Sequence, residues 1–504
     1  MMGPILPPPP KPTRGPILPL RGPIPPPPQI NEKNGLMVKI PPEEDEDDLG
    51  GTPPMLGGSQ SGGAGGSPRF TGLGKEEVLR AAGTAPWRRA RALLLVLFWG
   101  GWLGMVGAAA AIVARAPRCD PPGPWWQKGA LYRAPPKPFG GDLKGVSDHL
   151  DHVADLGVQG LILGPLHPLG AQRPLLEELD PALGTLGDLE ELLKKAKDRG
   201  LRVLLDLTPD PWGAQPWGGE NRTRLTPQLP GAVSAWLGRG LKGIFLDAVE
   251  ELEPELVAEW RNLTEKLGGV LVLGSRSQDP LGLRRALNVS GEGQLLIGQF
   301  PTGSAPIDDV IDLLRNPKIH LGWSVGSPRQ HALGSLDPSS APWRLLLLWM
   351  LPGPPVLNYG DEVGLTDPPG GDGQLTPMPW ELIGQIQEGG NSSEAVLLSL
   401  SRRLSRLRSQ EPVLQRGGFE PVTSESGTSA FLRSWDFRRR FLVVLNRSPE
   451  PRPPFLATPP GLPARATLLA STHGPRPPPE ALELNAMQLR PHEGAVLGLA
   501  PPTP

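Results

Sequence analysis

The chain has 504 residues, including 65 glycines and 67 prolines, and its formal net charge at pH 7 is −2. This near-neutral balance, with lysine and arginine scattered along the chain, argues against nucleic acid as a partner. The length suffices for a membrane anchor plus one large domain or two medium-sized ones. The single cysteine, Cys119, excludes an internal disulfide. In an extracellular setting it favours an intermolecular bridge, whereas a cytosolic thiol is more often incidental.

The first 70 residues have the composition of a disordered tail. They contain 30 glycines and prolines, so too little apolar surface is available to offset chain entropy. Proline runs such as Pro7–Pro10 suit SH3-type domains, although an unliganded tail is the commoner interpretation. An acidic run, Glu43–Asp48, is solvated. We predict a tail at 1–70 and a juxtamembrane segment at 71–91 with a short helix at Thr71–Gly83.

A run of 23 residues without a charge, Ala92–Ala114, predicts a transmembrane helix. About 20 apolar residues cross the roughly 30 Å hydrocarbon core, and a buried helix of this length would normally carry a polar face. The run lies too far from the N-terminus, and is too long, for a cleaved signal peptide, so we expect an uncleaved signal-anchor. Gly100, Gly104 and Ala108 form a stripe of small residues that suits close helix approach, a pattern that is weak alone.

The membrane orientation rests on the glycosylation triplets, because arginines flank both ends of the span. Five Asn-x-Ser/Thr triplets follow the span, at Asn221, Asn262, Asn288, Asn391 and Asn446. Pro449 follows the last triplet, so we expect use among the other four. The N-terminus is therefore predicted to be cytoplasmic and residues 115–504 extracellular, at the plasma membrane.

Beyond the linker at 115–124, short apolar runs alternate with helical patterns, which predicts βα units around a parallel sheet. One such helix is Thr185–Arg199, which Gly200 is placed to end. Eight strands over about 230 residues are typical of a (β/α)8 TIM barrel, here assigned to 125–424. The candidate strands are Gly129–Tyr132, Gly160–Leu163, Val203–Leu207, Gly243–Leu246, Val270–Leu273, Leu295–Ile297, Gly322–Val325 and Pro355–Tyr359.

From about Glu425 the pattern changes to short strand-like pieces between proline-rich turns. This predicts a small antiparallel β domain at 425–504. The fold class is therefore α/β, with a single transmembrane helix ahead of the barrel and the β domain behind it. The candidate strands of the β domain are Phe431–Trp435, Phe441–Asn446, Ala466–Leu469 and Ala495–Leu499.

Several motifs from Trp125 to Leu499 resemble, in order, the α-amylase-type glycoside hydrolases. These motifs lie at Gly141–Pro168, Asp206–Asp210, Leu351–Leu365, Pro377–Trp380 and Ser401–Phe419. Retaining members of that family need a carboxylate nucleophile and a carboxylic acid about 5 Å apart. The resemblance therefore implies an amylase-like barrel and a defined set of positions at which the catalytic groups can be sought.

Most of these catalytic positions hold other residues. The nucleophile position keeps Asp247, but Phe245 replaces the arginine that would hold it, and Ser275 stands at the acid position. Asp210–Pro211 and Ser327–Arg329 replace the expected Asn-His and Asn-His-Asp motifs, and only 40 residues separate Asp206 from Asp247, too few for the family's insertion domain. The resemblance implies an inactive ectodomain with Asp247 as a vestige or a structural residue. A surviving glucosidase stays open as the alternative.

No cofactor or metal is expected from the sequence. His149 and His152 share a helix face, but no nearby Cys, Glu or third His completes a metal site.

A second resemblance includes the membrane span and the cysteine, which glycosidases lack. The matching stretches are Pro86–Met105, Arg115–Cys119, Trp125–Arg133, Glu259–Thr264, Arg440–Asn446 and Leu489–Gly494. They resemble the 4F2 heavy-chain branch of heteromeric amino-acid transporters. The resemblance implies an ancillary, chaperone-like subunit that is disulfide-linked through Cys119 to a multi-span light chain, escorts it to the plasma membrane and supports amino-acid exchange.

The resemblance has further implications. It implies association with integrin β subunits and contact with membrane lipid, and it makes Asn262 the preferred glycosylation site, because Asn262 lies in a matching stretch. A homodimer through two copies of Cys119 and a purely adhesive or receptor role remain as alternatives.

Overall fold

The computed structural model describes most of the chain after residue 73. The described ranges are 74–115, 124–169, 175–213, 215–217, 226–291, 294–300, 320–328, 332–335, 338–367, 375–390, 392–424, 427–435, 439–456, 459–474 and 481–500. The predicted tail at 1–70 lies outside them, as do Cys119, Asn221, Arg329 and Asn391.

The first described elements are two helices, α1 at Lys75–Gly83 and α2 at Ala85–Arg115. Thr84 separates them, and its hydroxyl and backbone N–H both donate to Ala81 O. The helix α2 begins seven residues before the predicted span, because Pro86 fits a first turn, where its missing N–H is not needed. Over Ala85–Ile112 it is long and apolar enough to cross a membrane, the one such helix in the described ranges.

Eight parallel strands close into a barrel in which each strand pairs with the next and β8 pairs with β1, which confirms the predicted fold. Six strands begin within one residue of the prediction. The prediction began β1 at Gly129 and β7 at Gly322. In the structure β1 begins two residues later, after Gly129, and β7 begins two residues earlier, so that Gly322 lies within it. The strands are β1 Leu131–Ala134, β2 Gly160–Leu163, β3 Arg202–Asp206, β4 Gly243–Leu246, β5 Val270–Gly274, β6 Leu295–Gln299, β7 His320–Ser324 and β8 Pro355–Asn358.

The helices of this part of the chain surround the strands. The predicted helix at 185–199 is α7, whose first turn Thr185 caps through a reciprocal pair of hydrogen bonds with Asp188. Gly200 follows it with a φ of 75°, which confirms its expected role. The described helices are α3 Trp125–Lys128, α4 Pro136–Gly140, α5 Leu143–Asp148, α6 Leu150–Asp155, α7 Leu186–Asp198, α8 Leu229–Gly238, α9 Pro254–Lys266, α10 Pro280–Ser290, α11 Ala332–Ser335, α12 Ala341–Met350, α13 Trp380–Gln387, α14 Ser393–Gln410 and α15 Pro412–Arg416.

Apolar side chains fill both faces of the barrel sheet. In β4, Phe245 belongs to a cluster with Leu204 and Val272 in the barrel interior, while Ile244 and Leu246 pack in the layer towards the helices. This alternation follows from the two-residue period of a strand. The interior is therefore a packed core, and polar chemistry is confined to the ends of the strands.

The C-terminal sheet has six antiparallel strands in the order β13-β12-β14-β11-β10-β9. Sequence patterns predicted four of them. The edge strands β9 and β13 escaped prediction, because β9 contains Pro421 and is only partly buried and β13 has three residues. The sheet accordingly begins at Gly418, ahead of Glu425. Its strands are β9 Gly418–Val422, β10 Thr428–Ser434, β11 Arg440–Asn446, β12 Arg465–Ser471, β13 Ala481–Glu483 and β14 Gly494–Leu499.

Two buried arginines join this sheet to the barrel at the end of α12. Arg408 of α14 and Arg433 of β10 have at most 1% of their surface exposed. Arg408 donates to the carbonyls of Trp349, Leu351 and Gly353. Arg433 donates to the carbonyls of Met350, Val413, Gly417 and Gly418. Several of these carbonyls end α12, where partners within the helix run out and the helix dipole is negative. The two guanidinium groups therefore satisfy acceptors that burial would otherwise leave unpaired.

We expect Arg433→Met to destabilise the protein, because four backbone carbonyls, three of them in buried residues, lose a charged donor. The expected loss is about 3 kcal/mol or more, or a fall of roughly 4 °C or more in the apparent melting temperature of the purified full-length chain. Arg284→Met on the exposed face of α10 is the matched control and should change stability by no more than about 0.5 kcal/mol. Equal melting temperatures for the two variants would contradict this assignment.

Candidate functional site

Four charged side chains meet at the carboxyl end of the barrel strands, the end where TIM-barrel enzymes place their chemistry. Arg133 belongs to β1, Asp206 ends β3, Asp247 follows β4, and Arg276 lies two residues after β5. Asp247 Oδ2 lies 3.4 Å from Arg133 Nη2 and 3.3 Å from Arg276 Nε. Arg133 Nη2 also lies 3.5 Å from Asp206 Oδ2. The parallel topology thus assembles a buried cluster of two carboxylates and two guanidinium groups.

The pKa values of the two aspartates of the cluster shift in opposite directions. Burial raises the pKa of Asp247, but the guanidinium groups of Arg133 and Arg276 lower it further, and the net pKa lies below its ordinary value. Burial also raises the pKa of Asp206, and there Arg133 does not compensate fully, because the charge of Asp247 adds to the rise. Asp247 is therefore the fixed anion of the cluster.

Backbone geometry also holds Asp247 in place. Its N–H donates to Thr208 Oγ1 (2.9 Å), and the Ala248 N–H donates to its Oδ1 (3.1 Å). Ala248 adopts a φ of 53°, a left-handed conformation that costs an L-residue energy and persists only where its surroundings enforce it. Gly274 completes the fit, because a Cβ at that position would lie 2.6 Å from Asp247 Oδ1.

Arg276 and Trp217 close the space in front of the carboxylate. Arg276 donates from Nη1 to Gly213 O (3.0 Å) and from Nη2 to Pro211 O (2.6 Å), so its guanidinium group connects Asp247 to the β3–β4 loop. Trp217 is buried, donates from Nε1 to Asp247 O (3.0 Å), and stacks with Trp260. As a result only 3% of the surface of Asp247 is exposed. A glycosidase nucleophile must be accessible to the sugar, so the geometry around Asp247 differs from that of a working nucleophile.

The acid position of the glycosidase pattern holds a hydroxyl group. Ser275 is buried, and its Oγ accepts a hydrogen bond from the Ser277 N–H (3.2 Å). A carboxyl group that sequence motifs did not reveal, Glu250, accepts a hydrogen bond from the Arg276 N–H through Oε1 (2.9 Å). Burial raises the pKa of Glu250 above its ordinary value. Glu250 thus holds the backbone of the arginine that closes the site.

Sequence motifs indicated that Asp247 lacks its arginine, and the fold replaces that arginine from two other strands. Phe245 points into the barrel interior, and the Arg133 guanidinium lies 4.7 Å from the centroid of its ring, a favourable cation–π distance. Arg133 and Arg276 were missed because their proximity to Asp247 arises only when the barrel closes. The available signal was a charged residue within the otherwise apolar strand Leu131–Ala134.

His149 and His152, the two histidines considered as metal ligands in the sequence analysis, contact other side chains of the barrel domain. His152 Nε2 lies 2.7 Å from Glu362 Oε1, to which the Tyr132 hydroxyl also donates (2.9 Å). The His149 ring stacks on Trp380 with centroids 3.6 Å apart. In the described ranges no three His, Cys, Asp or Glu side chains converge as a metal site requires.

The described glycosylation triplets differ in accessibility. Asn262 on α9 and Asn288 on α10 are exposed. Asn446 at the end of β11 is fully buried, and its Nδ2 donates to Glu450 O and Arg490 O, both at 2.8 Å. In the folded chain, therefore, the Asn446 amide is hydrogen-bonded in the interior, and a glycan cannot be accommodated there.

The Asp247 cluster predicts a specific pH dependence of stability. Because folding lowers the pKa of Asp247, its contribution is present above the unfolded pKa of about 3.9 and is lost as the pH falls through the folded pKa. Asp206 acts in the opposite direction, since folding raises its pKa. We therefore expect Asp247→Asn to cost about 3–5 kcal/mol between about pH 5 and 7 and progressively less below about pH 4.

Melting temperatures of the wild type and Asp247→Asn from pH 3 to 7 check this expectation. The control is Asp148→Asn, which changes an exposed carboxylate on α5 whose side chain is 76% exposed. A stability difference that does not shrink in acid would contradict the assignment of Asp247 as the fixed anion.

Comparison with known proteins identifies the family. A family model described as "Solute carrier family 3 member 2 N-terminus" matches residues 62–132, and one described as "Alpha amylase, catalytic domain" matches residues 104–215. Among solved structures, an α-amylase from Geobacillus thermoleovorans superposes with a TM-score of 0.58 at 19% identity, over 76% of this chain and 100% of that one. At this identity the likeness shows the fold alone.

Two relatives called "Amino acid transporter heavy chain SLC3A2" match across both the span and the barrel. The protein from Oryctolagus cuniculus is 36% identical, over 85% of this chain and 88% of that relative. The protein from Mus musculus is 35% identical, over 85% and 89%. Similarity of this extent and coverage leads to one conclusion: the chain belongs to the SLC3A2 family of amino-acid transporter heavy chains, which shares its barrel with the α-amylases.

Proposed function

We propose that this chain is the ancillary heavy subunit of a heteromeric amino-acid transporter. It pairs with a multi-span light chain, stabilises that subunit, escorts it to the plasma membrane and so supports amino-acid exchange. The observation that carries the proposal is the 36% identity to a transporter heavy chain over 85% of the chain. An escort needs its own membrane anchor, and α2 is long and apolar enough to supply one.

The proposed arrangement follows the domain order. A cytoplasmic tail at 1–70 and a juxtamembrane segment at 71–91 precede the span at 92–114. The linker at 115–124 then carries Cys119 to the outer surface, ahead of the extracellular barrel at 125–424 and the β domain at 425–504. The described glycosylation triplets with exposed asparagines, at Asn262 and Asn288, both lie on barrel helices beyond the span.

The orientation predicts glycans on residues beyond the span. Enzymatic deglycosylation of the protein from mammalian cells should increase its mobility, and Asn262→Gln should remove part of that shift. Peptide mass spectrometry after enzymatic release in heavy-oxygen water should show conversion at Asn262 and Asn288. Asn446 should stay unmodified, because its amide is buried and bonded. Unchanged mobility after deglycosylation would contradict the orientation.

We further propose that the ectodomain has no glycosidase activity. Protonation of the leaving oxygen by a general acid is typically worth about 10²–10⁴-fold in rate, and Ser275 has no carboxyl group to provide it. The remaining carboxylate at the nucleophile position, Asp247, is only 3% exposed, because Arg276 connects it to the β3–β4 loop that covers it. Both the acid and the free nucleophile of the retaining mechanism are therefore missing.

Purified full-length protein should accordingly release no glucose from maltose and no nitrophenol from nitrophenyl α-glucoside above the buffer blank. The matched control is Asp247→Asn, which should leave this baseline unchanged. Turnover by the wild type that Asp247→Asn abolishes would overturn the proposal and restore the ectoenzyme alternative.

The covalent link to the light chain is proposed to run through Cys119. It is the sole cysteine, so any disulfide it forms must join two chains. The proposed position of Cys119, just outside the bilayer, lies in an oxidising compartment, where disulfides persist. The proline-rich linker limits how far the thiol can move. Affinity does not depend on this bond alone, because the span and the ectodomain also offer contact surface.

A Cys119→Ser variant should therefore lose the high-mass band on a non-reducing gel while still delivering a fraction of the transporter to the cell surface. Mass spectrometry of the wild-type band should identify both this chain and a multi-span partner. A band that contains this chain alone would favour the homodimer, and a high-mass band that persists in Cys119→Ser would rule out the proposed bridge.

A further inference from the structure

A groove of about 670 Å³ lies between α13, α14 and the strand β12, and its lining includes none of the four charged residues of the Asp247 cluster. This volume falls within the range of pockets that hold small organic ligands. Its walls combine apolar side chains, Leu398, Leu407 and Leu469, with three arginines of α14. The groove therefore has the two features of a ligand pocket, an apolar surface and a few convergent polar groups.

The arginines lie on one face of α14 because their spacing matches the helical repeat. Arg402 and Arg406 are four residues apart, and Arg403 lies beside them. Within the described ranges, no acidic side chain lines the groove. Among the described residues these arginines form one ion pair, between Arg402 Nη2 and Asp155 Oδ2 at 3.9 Å, and the side chain of Asp155 is 67% exposed. The groove thus carries excess positive charge.

The guanidinium groups keep donors available for a ligand. Arg403 is held by one hydrogen bond from Nη2 to Leu469 O (2.6 Å), where β12 is irregular and the register shifts between Leu468 and Ala470. The side chain of Arg402 is 26% exposed, and its one ion pair among the described residues is the long contact with Asp155. A guanidinium group has five donors, so both side chains retain several for an anionic oxygen.

We propose that this groove binds a small organic anion with an apolar body, such as an aryl carboxylate or sulfonate. The anionic group accepts hydrogen bonds from Arg402 and Arg406, while Arg403 stays anchored to β12. The apolar body rests against Leu407 and Leu469, which are only partly buried in the free protein. A bare inorganic anion would leave these leucines uncovered, and an uncharged aromatic would leave the guanidinium groups unpaired, so the groove favours a molecule that has both parts.

The test uses two fluorescent probes with the same aromatic body, dansylglycine with a carboxylate and dansylamide without one. Each is titrated into full-length protein in lipid nanodiscs, and empty nanodiscs serve as the blank. Dansylglycine should bind saturably at one site and at least about tenfold more tightly than dansylamide, because charge-assisted hydrogen bonds are lost with the carboxylate. Added salt should weaken binding of dansylglycine alone.

The double variant Arg402→Gln/Arg406→Gln should bind dansylglycine about tenfold or more less tightly than the wild type, and its affinity for dansylamide should be unchanged. Arg284→Gln on α10 is the control and should bind both probes as the wild type does. The comparison of the two probes on the wild type needs no variant, so it holds even if the double variant is unstable. Equal affinity for the two probes, no saturable signal above empty nanodiscs, or an unchanged affinity in a folded double variant would each overturn the proposal.

Discussion

The attachment of the C-terminal sheet to the barrel depends on two buried positive charges, Arg408 and Arg433. Burial lowers the pKa of Arg408 to about 9, so it stays protonated at neutral pH. Arg408 donates to backbone carbonyls through Nη1 and Nη2, and Arg433 through Nε, Nη1 and Nη2. The carbonyls at the end of α12 need these donors, because a helix terminus in a dry interior has no water to satisfy it. The C-terminal end of α12 is thereby bound to both α14 and β10. These two elements carry the arginine groove and the C-terminal sheet.

The same rule for buried charge explains the carboxyl end of the barrel. A carboxylate with 3% exposure, such as Asp247, persists only with close cationic partners, and here Arg133 and Arg276 are those partners. In a working glycosidase the nucleophile must stay open to substrate, whereas here Arg276, bound to the β3–β4 loop, and Trp217 keep Asp247 buried. This closed geometry agrees with the proposed role of the chain as an ancillary subunit, since that role needs a stable ectodomain and no access to a sugar.

The sequence predicted the fold in most of its parts. Eight short apolar runs at βα spacing indicated the barrel, and Gly200 marked the end of α7, because apolar runs and helix-ending glycines are local signals. The edge strand Gly418–Val422 escaped, since an edge strand with a proline carries little apolar pattern. Of the site, Asp247 and Ser275 were placed by their motifs, whereas Arg133, Arg276 and Glu250 were not.

What the sequence determined by itself was therefore the set of local properties: an uncharged run long enough to span a bilayer, a lone cysteine, and the loss of a carboxyl group at position 275. Only the tertiary structure decided which charges meet. Arg133, Asp247 and Arg276 come from three separate strand ends, and Arg408 and Arg433 from a helix and a strand of different layers. Long-range pairing of this kind has no period in the chain, because it arises from barrel closure and from the docking of one layer on another.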